Sequence, residues 1–383
     1  MQRIVRWLVF SFLLVAPALA RQTKDVTTLN REALEAITAK KYDEGIALLQ
    51  KILELTPKDK GTAYNLACVC SLKGDVEKAH EWLSTAADWG WGGGRGSIAG
   101  SNKQMSELDM CRNDADLANL RKDPRFEALM AKMALNVEKR AALQKQVDEY
   151  AKTAAVYVPE AVKGLAEMPL LVVLHDAGSN KDAVVAGRWK AIADELGFAL
   201  VAPSATVPVG SELAQGLEWF DDIAAYAAKT WVAEKPITDA TSAFMKEHTV
   251  DKRRVLIAGE GRGGIVASSV AFTNPGLYKG VLMLDSLFLP QLVQARAANA
   301  SKIGLKVRIL VDGPSLRDVP EGDDLKKRVE EWNRALATMV VQGGAELYVA
   351  DRADAAKTQA LVVAALRGLL PSAPVPADAP SGK

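Results

Sequence analysis

The chain has 383 residues, 49% hydrophobic and 25% charged, which suits two or three globular domains and excludes a disordered or fibrous protein. Its 48 Lys and Arg against 47 Asp and Glu leave a net charge of +1, so bulk charge draws it neither to nucleic acid nor to an anionic membrane. Only three histidines, His80, His175 and His248, are available as proton carriers near neutral pH.

Residues 1–20 read as a signal peptide. Arg3 and Arg6 form a basic start, Trp7 to Val15 an apolar core, and Ala18-Leu19-Ala20 a small-x-small cleavage site. The expectation is a secreted or periplasmic protein with no membrane span after cleavage, because the apolar run falls short of the roughly twenty residues a span needs. The odd cysteine count then leaves at least one of Cys68, Cys70 and Cys111 unpaired within the chain. Cys68 and Cys70 stand two apart on a predicted helix and cannot bridge each other. A Cys111 bridge to either stays open beside the simpler reading of three small buried residues.

From 27 to 88 the pattern is helical and recurs. Leu29, Ala33, Ala36 and Ile37 mark one apolar face, and Tyr42, Gly45, Ile46, Leu49, Ile52 and Leu53 a second that ends before Pro57. Ala63, Leu66, Ala67 and Cys70 repeat the first; Ala79, Leu83 and Ala86 repeat the second. Gly45 to Ala79 and Leu49 to Leu83 are both steps of 34 residues. The segments "KKYDEGIALLQKILELTP" and "NLACVCSLKGDVEKAHEWLSTAADWGW" resemble tetratricopeptide repeats, and "DADLANLRKDPRFEALMAKM" (114–133) resembles the helical cap that follows them. The resemblance implies a protein or peptide partner for residues 21–133. Two repeats and a cap make a marginal solenoid, expected to dock on another surface. Gly90 to Gly100 reads as a flexible connection around Trp89 and Trp91, and lacks the Gly-Lys-Ser/Thr ending of a phosphate loop. Residues 134–152 read as a linker helix.

From 153 to 370 the texture changes to short apolar runs, "AAVYV", "PLLVVL", "FALVAP", "RVLIA", "GVLML", "VRILVD" and "ELYVA", alternating with amphipathic stretches. Such alternation predicts a doubly wound, mostly parallel sheet covered on both faces, with any site beyond the carboxyl ends of the strands. The fold class is therefore α followed by α/β. Residues 371–383, rich in Pro and Ala, read as a disordered tail.

The stretch "LHDAGSNKD…RWKAIADELGFALVAPSAT…W…VDKRRVLIAGEGRGG" resembles the α/β-hydrolase fold, in its esterase, dienelactone hydrolase and polyhydroxybutyrate depolymerase-like branch. The resemblance implies a Gly-x-Ser-x-Gly turn that lifts a nucleophilic serine. Here the sequence is Gly259-Glu260-Gly261-Arg262-Gly263, so the nucleophile position is Gly261. A glycine tolerates the strained backbone of such a turn but offers no attacking group. The histidine implied after the last strand is missing from "VADRADAA" (349–356). His175 matches the oxyanion-loop histidine, and Asp176 stands where the family usually has glycine, beside Ala177 and Gly178. A carboxylate there would repel a developing oxyanion. Asp318 sits near the family's acid position, with Asp312 and Asp285 as alternatives. His175, Asp176, Trp219, Asp221, Glu260 and Arg262 frame a cleft for a small-molecule ligand; Trp219 and Phe220 serve equally as core.

The leading reading is an exported protein-binding or scaffold protein with a non-catalytic hydrolase-like domain, without cofactor or metal. The alternative is a carboxylic ester hydrolase using a non-standard catalytic set, such as carboxylates Asp176 and Asp318 activating water. In a third reading His80, recruited from the repeats, would serve the elbow.

Overall fold

A computed structural model describes residues 20–97, 104–220, 223–312, 324–348 and 355–370. The chain divides into two compact units, 1–147 with 210–214, and 148–209 with 215–383.

The first unit is helical. Helices α1 (Ala20–Thr38), α2 (Tyr42–Leu55), α3 (Lys60–Lys73) and α4 (Val76–Asp88) form two consecutive pairs. Their ends follow local chemistry. The Asp59 carboxylate accepts the Gly61 and Thr62 N–H groups at the start of α3, Gly74 closes it at φ +89°, and Asp75 caps α4 through the Lys78 N–H. Gly45 sets the spacing of the first pair, since a Cβ there would lie 2.7 Å from Ile37 Cγ1. The apolar positions at the 34-residue spacing are inside: Leu49 is 1% exposed and Ala79 and Leu83 are fully buried. Helix α3 is buried at every position from Gly61 to Ser71, so it is the core of the unit and not one of its faces.

The segment after α4 differs from the expected flexible connection. Residues 90–94 are packed: Trp91 is fully buried and stacks on Tyr64 with centroids 4.2 Å apart. The Trp91 indole donates to Cys111 Sγ at 3.1 Å, and Glu107 accepts the Gly92 and Gly94 N–H groups and the Lys60 ammonium. A short hairpin of β1 (Arg95–Ser97) and β2 (Gln104–Ser106) and helix α5 (Glu107–Asn113) follow. The expected cap is not a single helix. Two 3-10 turns at 115–117 and 120–122 precede α6 (Phe126–Ala151), which runs on through the expected linker helix without a break. Asp114 ties this region to α3, accepting from Tyr64 Oη at 2.6 Å, and Asn119 donates to the Ser71 carbonyl. The three cysteines are free and buried, and burial pushes the Cys111 thiol up to about 12, so it stays protonated.

The second unit holds a seven-stranded sheet. In chain order its elements are β3 (Ala155–Tyr157), β4 (Met168–Leu174), α7 (Lys181–Ala186), α8 (Arg188–Leu196), β5 (Ala199–Ala202), β6 (Val207–Pro208), β7 (Leu217–Glu218), α9 (Ile223–Ala228), α10 (Trp231–Glu247), β8 (Val250–Glu260), α11 (Arg262–Thr273), β9 (Gly280–Leu284), α12 (Pro290–Val293), α13 (Ala297–Ile303), β10 (Lys306–Asp312), α14 (Leu325–Thr338), β11 (Gln342–Tyr348) and α15 (Ala355–Leu369). The strand order is β11-β10-β9-β8-β4-β5-β3, parallel throughout except for the antiparallel edge strand β3; β6 and β7 form a separate antiparallel pair. Strand β4 is buried at all seven positions, as an interior strand covered on both faces must be. One face carries Leu171, Val173, Leu256, Ala258 and Leu282 against Trp189 and Ile192 of α8 and Val362 and Leu366 of α15. Each Leu, Ile and Val among them contributes about 1.5–3 kcal/mol of burial. The chain passes from β4 to β5 on one side and returns to β8 on the other. The loops after β4 and β8 therefore face each other at the switch point of the sheet, where α/β folds place their ligands.

Candidate functional site

The elbow is formed at that switch point. Strand β8 ends at Glu260, α11 begins at Arg262, and Gly261 between them has φ +49° and ψ −119°, a strained conformation that glycine adopts most readily. The Gly261 N–H donates to the Leu284 carbonyl at 3.0 Å, fixing the turn to β9. Gly263 lets α11 approach β4: a Cβ there would stand 2.6 Å from the Leu174 carbonyl oxygen.

The space in front of Gly261 is filled. A Cβ built at 261 would overlap Asp176 Oδ1 and lie 2.5 Å from its Cγ. The same oxygen accepts the Ala177 N–H at 2.7 Å and the Arg262 N–H at 3.3 Å. These two donors come from the loop after β4 and the first turn of α11. They are where an acyl-transfer enzyme of this fold gathers the N–H groups that receive a developing oxyanion. The sequence suggested that Asp176 would repel such an oxyanion; the structure puts the carboxylate in the oxyanion's place.

His175 is 1% exposed and cannot act as a base toward the elbow. Its Nε2 accepts the Ala205 N–H at 3.2 Å, so Nδ1 carries the proton and donates to the Asp176 carbonyl at 2.8 Å. Burial lowers its pKa to about 4, leaving it neutral. Trp219 is 4% exposed and its indole donates to the His175 carbonyl at 2.8 Å. It holds the loop from within the core, the second of the two roles the sequence left open for it. Gly178, at φ +75°, donates its N–H to the Leu217 carbonyl and continues the same loop.

The other expected cleft residues are committed elsewhere. Glu260 accepts from Arg188 Nε at 2.9 Å and from the Trp189 indole. The Arg262 guanidinium pairs with Glu218 at 3.0 Å, donates to the Phe220 carbonyl and lies over the Phe220 ring. Ser268 and Ser269 are buried along α11, bonded to Ile265 and Glu234, and do not reach the turn. His248 ends α10 against Phe244, and His80 belongs to α4 in the other unit. Asp318, Asp221 and residues 349–354 lie outside the described residues.

The acid alternatives fare differently. Asp312 is 3% exposed at the end of β10, and its N–H donates to Asp285 Oδ1 at 2.8 Å. Asp285 follows β9 with φ +49°, uncommon for a residue with a side chain. Its Oδ2 accepts from Tyr348 Oη at 3.0 Å, and burial raises its pKa to about 6 against the pull of those two donors. Burial and the adjacent carboxylate in turn raise the Tyr348 phenol above its ordinary value. Sequence reading missed this pairing, as it missed Arg188, Trp189 and Glu218. Among the described residues no group of three or more His, Cys, Asp or Glu gathers as metal ligands, and no helix is long and apolar enough to cross a membrane.

Asp285 and His175 give stability contributions of opposite sign with pH. Asp285, with its pKa raised, contributes stability that is complete below about pH 4 and lost as pH rises through about 6. His175, with its pKa lowered, contributes stability present above about pH 6.5 and lost as pH falls through about 4. The two oppose each other between about 4 and 6. Asp285→Asn leaves His175 unopposed, so its thermal midpoint should climb more steeply with pH across that window than the wild type's. Equal slopes would contradict the assignment.

Fold and elbow together define an α/β-hydrolase, esterase-like domain. Residues 152–300 match the family model of Esterase PHB depolymerase. The chain is similar in structure to a carboxylesterase from Mesorhizobium loti (19% identity, 55% of this chain and 93% of that one, TM-score 0.40). It is also similar to an S-formylglutathione hydrolase from Agrobacterium tumefaciens (14% identity, 58% and 92%, TM-score 0.37). An uncharacterized protein from Bacillus cereus ATCC 10987 is similar over 90% of this chain and 98% of its own, at 14% identity and TM-score 0.41. Compared with curated protein sequences, the chain matches none. The family match favours the ester-hydrolase side of the sequence reading and gives a scaffold role no support.

Proposed function

We propose that the second unit is an esterase-type domain whose elbow no longer performs acyl transfer. The observation that carries this reading is the Asp176 carboxylate lying over Gly261, where a nucleophile and its oxyanion would have to be. With Gly261 bearing no side chain and His175 neutral, buried and bonded through both ring nitrogens, the centre has neither a serine nucleophile nor a histidine base, and its one carboxylate, Asp176, is held by the Ala177 and Arg262 N–H groups. We further propose export through residues 1–20 and a protein partner for the helical unit, read as tetratricopeptide-like. Since α3 is buried on every side, such a partner would meet the outer faces of the unit.

A second reading keeps ester hydrolysis but moves it to Asp285. Its support is the family match together with a buried carboxyl of raised pKa, on a strained backbone at the carboxyl edge of the sheet. There the ionised carboxyl would take a proton from water as the water oxygen attacks the ester carbon, and would return it to the alcohol oxygen as the ester C–O bond breaks, releasing acid and alcohol.

Initial rates on short-chain aryl esters separate the two. The first reading expects the wild type at the buffer background. Turnover abolished by Asp285→Asn would transfer the assignment to the second reading, and turnover that survives the substitution would refute both.

A further inference from the structure

The elbow keeps more of its machinery than its lost serine suggests. Two backbone donors from separate elements still converge on a single oxygen, 2.7 Å from the Ala177 nitrogen and 3.3 Å from the Arg262 nitrogen. Neither depends on that oxygen for its position. The loop bearing Ala177 is held by the His175 ring between the Asp176 carbonyl and the Ala205 N–H, by the Trp219 indole on the His175 carbonyl, and by the Gly178 N–H on Leu217. The turn bearing Arg262 is held by the Gly261 N–H on Leu284 and by 12 residues of α11, whose N-terminal dipole faces the same spot. The Arg262 side chain is turned away toward Glu218, leaving its backbone N–H to face the site. The group received there is a carboxylate, and the absent side chain of Gly261 leaves it room, since its Cγ lies 2.5 Å from where a Cβ would stand.

We propose that the Ala177 and Arg262 N–H groups form an intact binding site for a small carboxylate, occupied in the native protein by the chain's own Asp176 side chain. The proposal rests on the reading of the elbow as closed, and adds what closes it and what the closed site can hold. Attached to the residue next to Ala177 and held within reach of the Arg262 N–H by the fold, the Asp176 carboxylate has an effective concentration that free anions in solution do not match. The native site is therefore shut to external carboxylates and to ester carbonyls alike. Once the side chain is removed, the donors remain placed for an external carboxylate of the same chemistry.

The test is anion-dependent stability of the full chain. In Asp176→Ala, formate at about ten times its Kd should raise the thermal unfolding midpoint by roughly 3–5 °C over chloride at equal ionic strength. Wild type and Asp176→Asn, which keep an oxygen in the site, should show no difference between the two salts. A formate effect in Asp176→Ala no larger than that of chloride, or an equal effect in all three proteins, overturns the proposal. If Asp176→Ala fails to fold in plain buffer, the readout becomes recovery of folded protein from urea into formate or chloride; equal recovery is again the overturning result. Ester turnover measured on the same samples reports on the closed-elbow reading separately. Turnover by the wild type would sink that reading, while a formate response in Asp176→Ala would still establish the site.

Discussion

Replacing Gly261 by serine is expected to destabilise the protein by roughly 2–4 kcal/mol and to confer no esterase activity. The serine of an active elbow tolerates a comparable backbone conformation because the space before it is empty. Here a Cβ would overlap Asp176 Oδ1, and at φ +49° and ψ −119° an L-residue also carries its own strain, about 1–3 kcal/mol. The carboxylate has to leave the Ala177 and Arg262 N–H groups, and hydrogen bonds to charged groups are worth about 1.5–3 kcal/mol each. Asp176 is partly exposed, so water replaces much of what its carboxylate gives up and the total falls below the sum of these figures. Urea unfolding of the variant against wild type measures the loss; a change under about 1 kcal/mol would mean that Asp176 moves aside freely.

Trp91→Ala should have the largest effect in the helical unit, about 3–5 kcal/mol, the usual range for deleting a buried aromatic. Trp91 is fully buried, stacks on Tyr64 and donates its indole N–H to Cys111, so truncation opens a cavity and breaks a buried hydrogen bond together. Its neighbour Trp89 is only half-buried, and Trp89→Ala should cost clearly less. Far-UV circular dichroism during urea unfolding follows both variants. Equal small effects would restore the flexible connection suggested by the glycines around these two residues.

The composition of residues 90–94 misled because glycine signals two opposite things. It frees a chain, and it lets backbone approach backbone, as Gly92 and Gly93 do against Met133 and Asn136 of α6. The sheet was legible because interior parallel strands must be apolar throughout, and "PLLVVL" and "RVLIA" lie in β4 and β8. The helix pairs were legible from periodicity, whereas the end of the cap was not, since nothing in 126–151 breaks the helix between the expected cap and linker. At the site, sequence showed which groups were missing and left open what replaced them. That Asp176 turns inward onto two N–H groups is decided by one side-chain torsion. That Asp285 meets Tyr348, 63 positions away, or that Glu260 meets Arg188 and Trp189, is decided by strand order, which no local pattern encodes.

Asp176 and position 261 compete for one volume, and a double-mutant cycle in urea exposes that competition. Asp176→Gly and Gly261→Ser should each destabilise, and the double variant should be more stable than their sum by about 1–3 kcal/mol, because the serine then enters space the carboxylate has left. Losses that add to within about 0.5 kcal/mol would show the two positions to be independent, and the carboxylate would not be what fills the elbow.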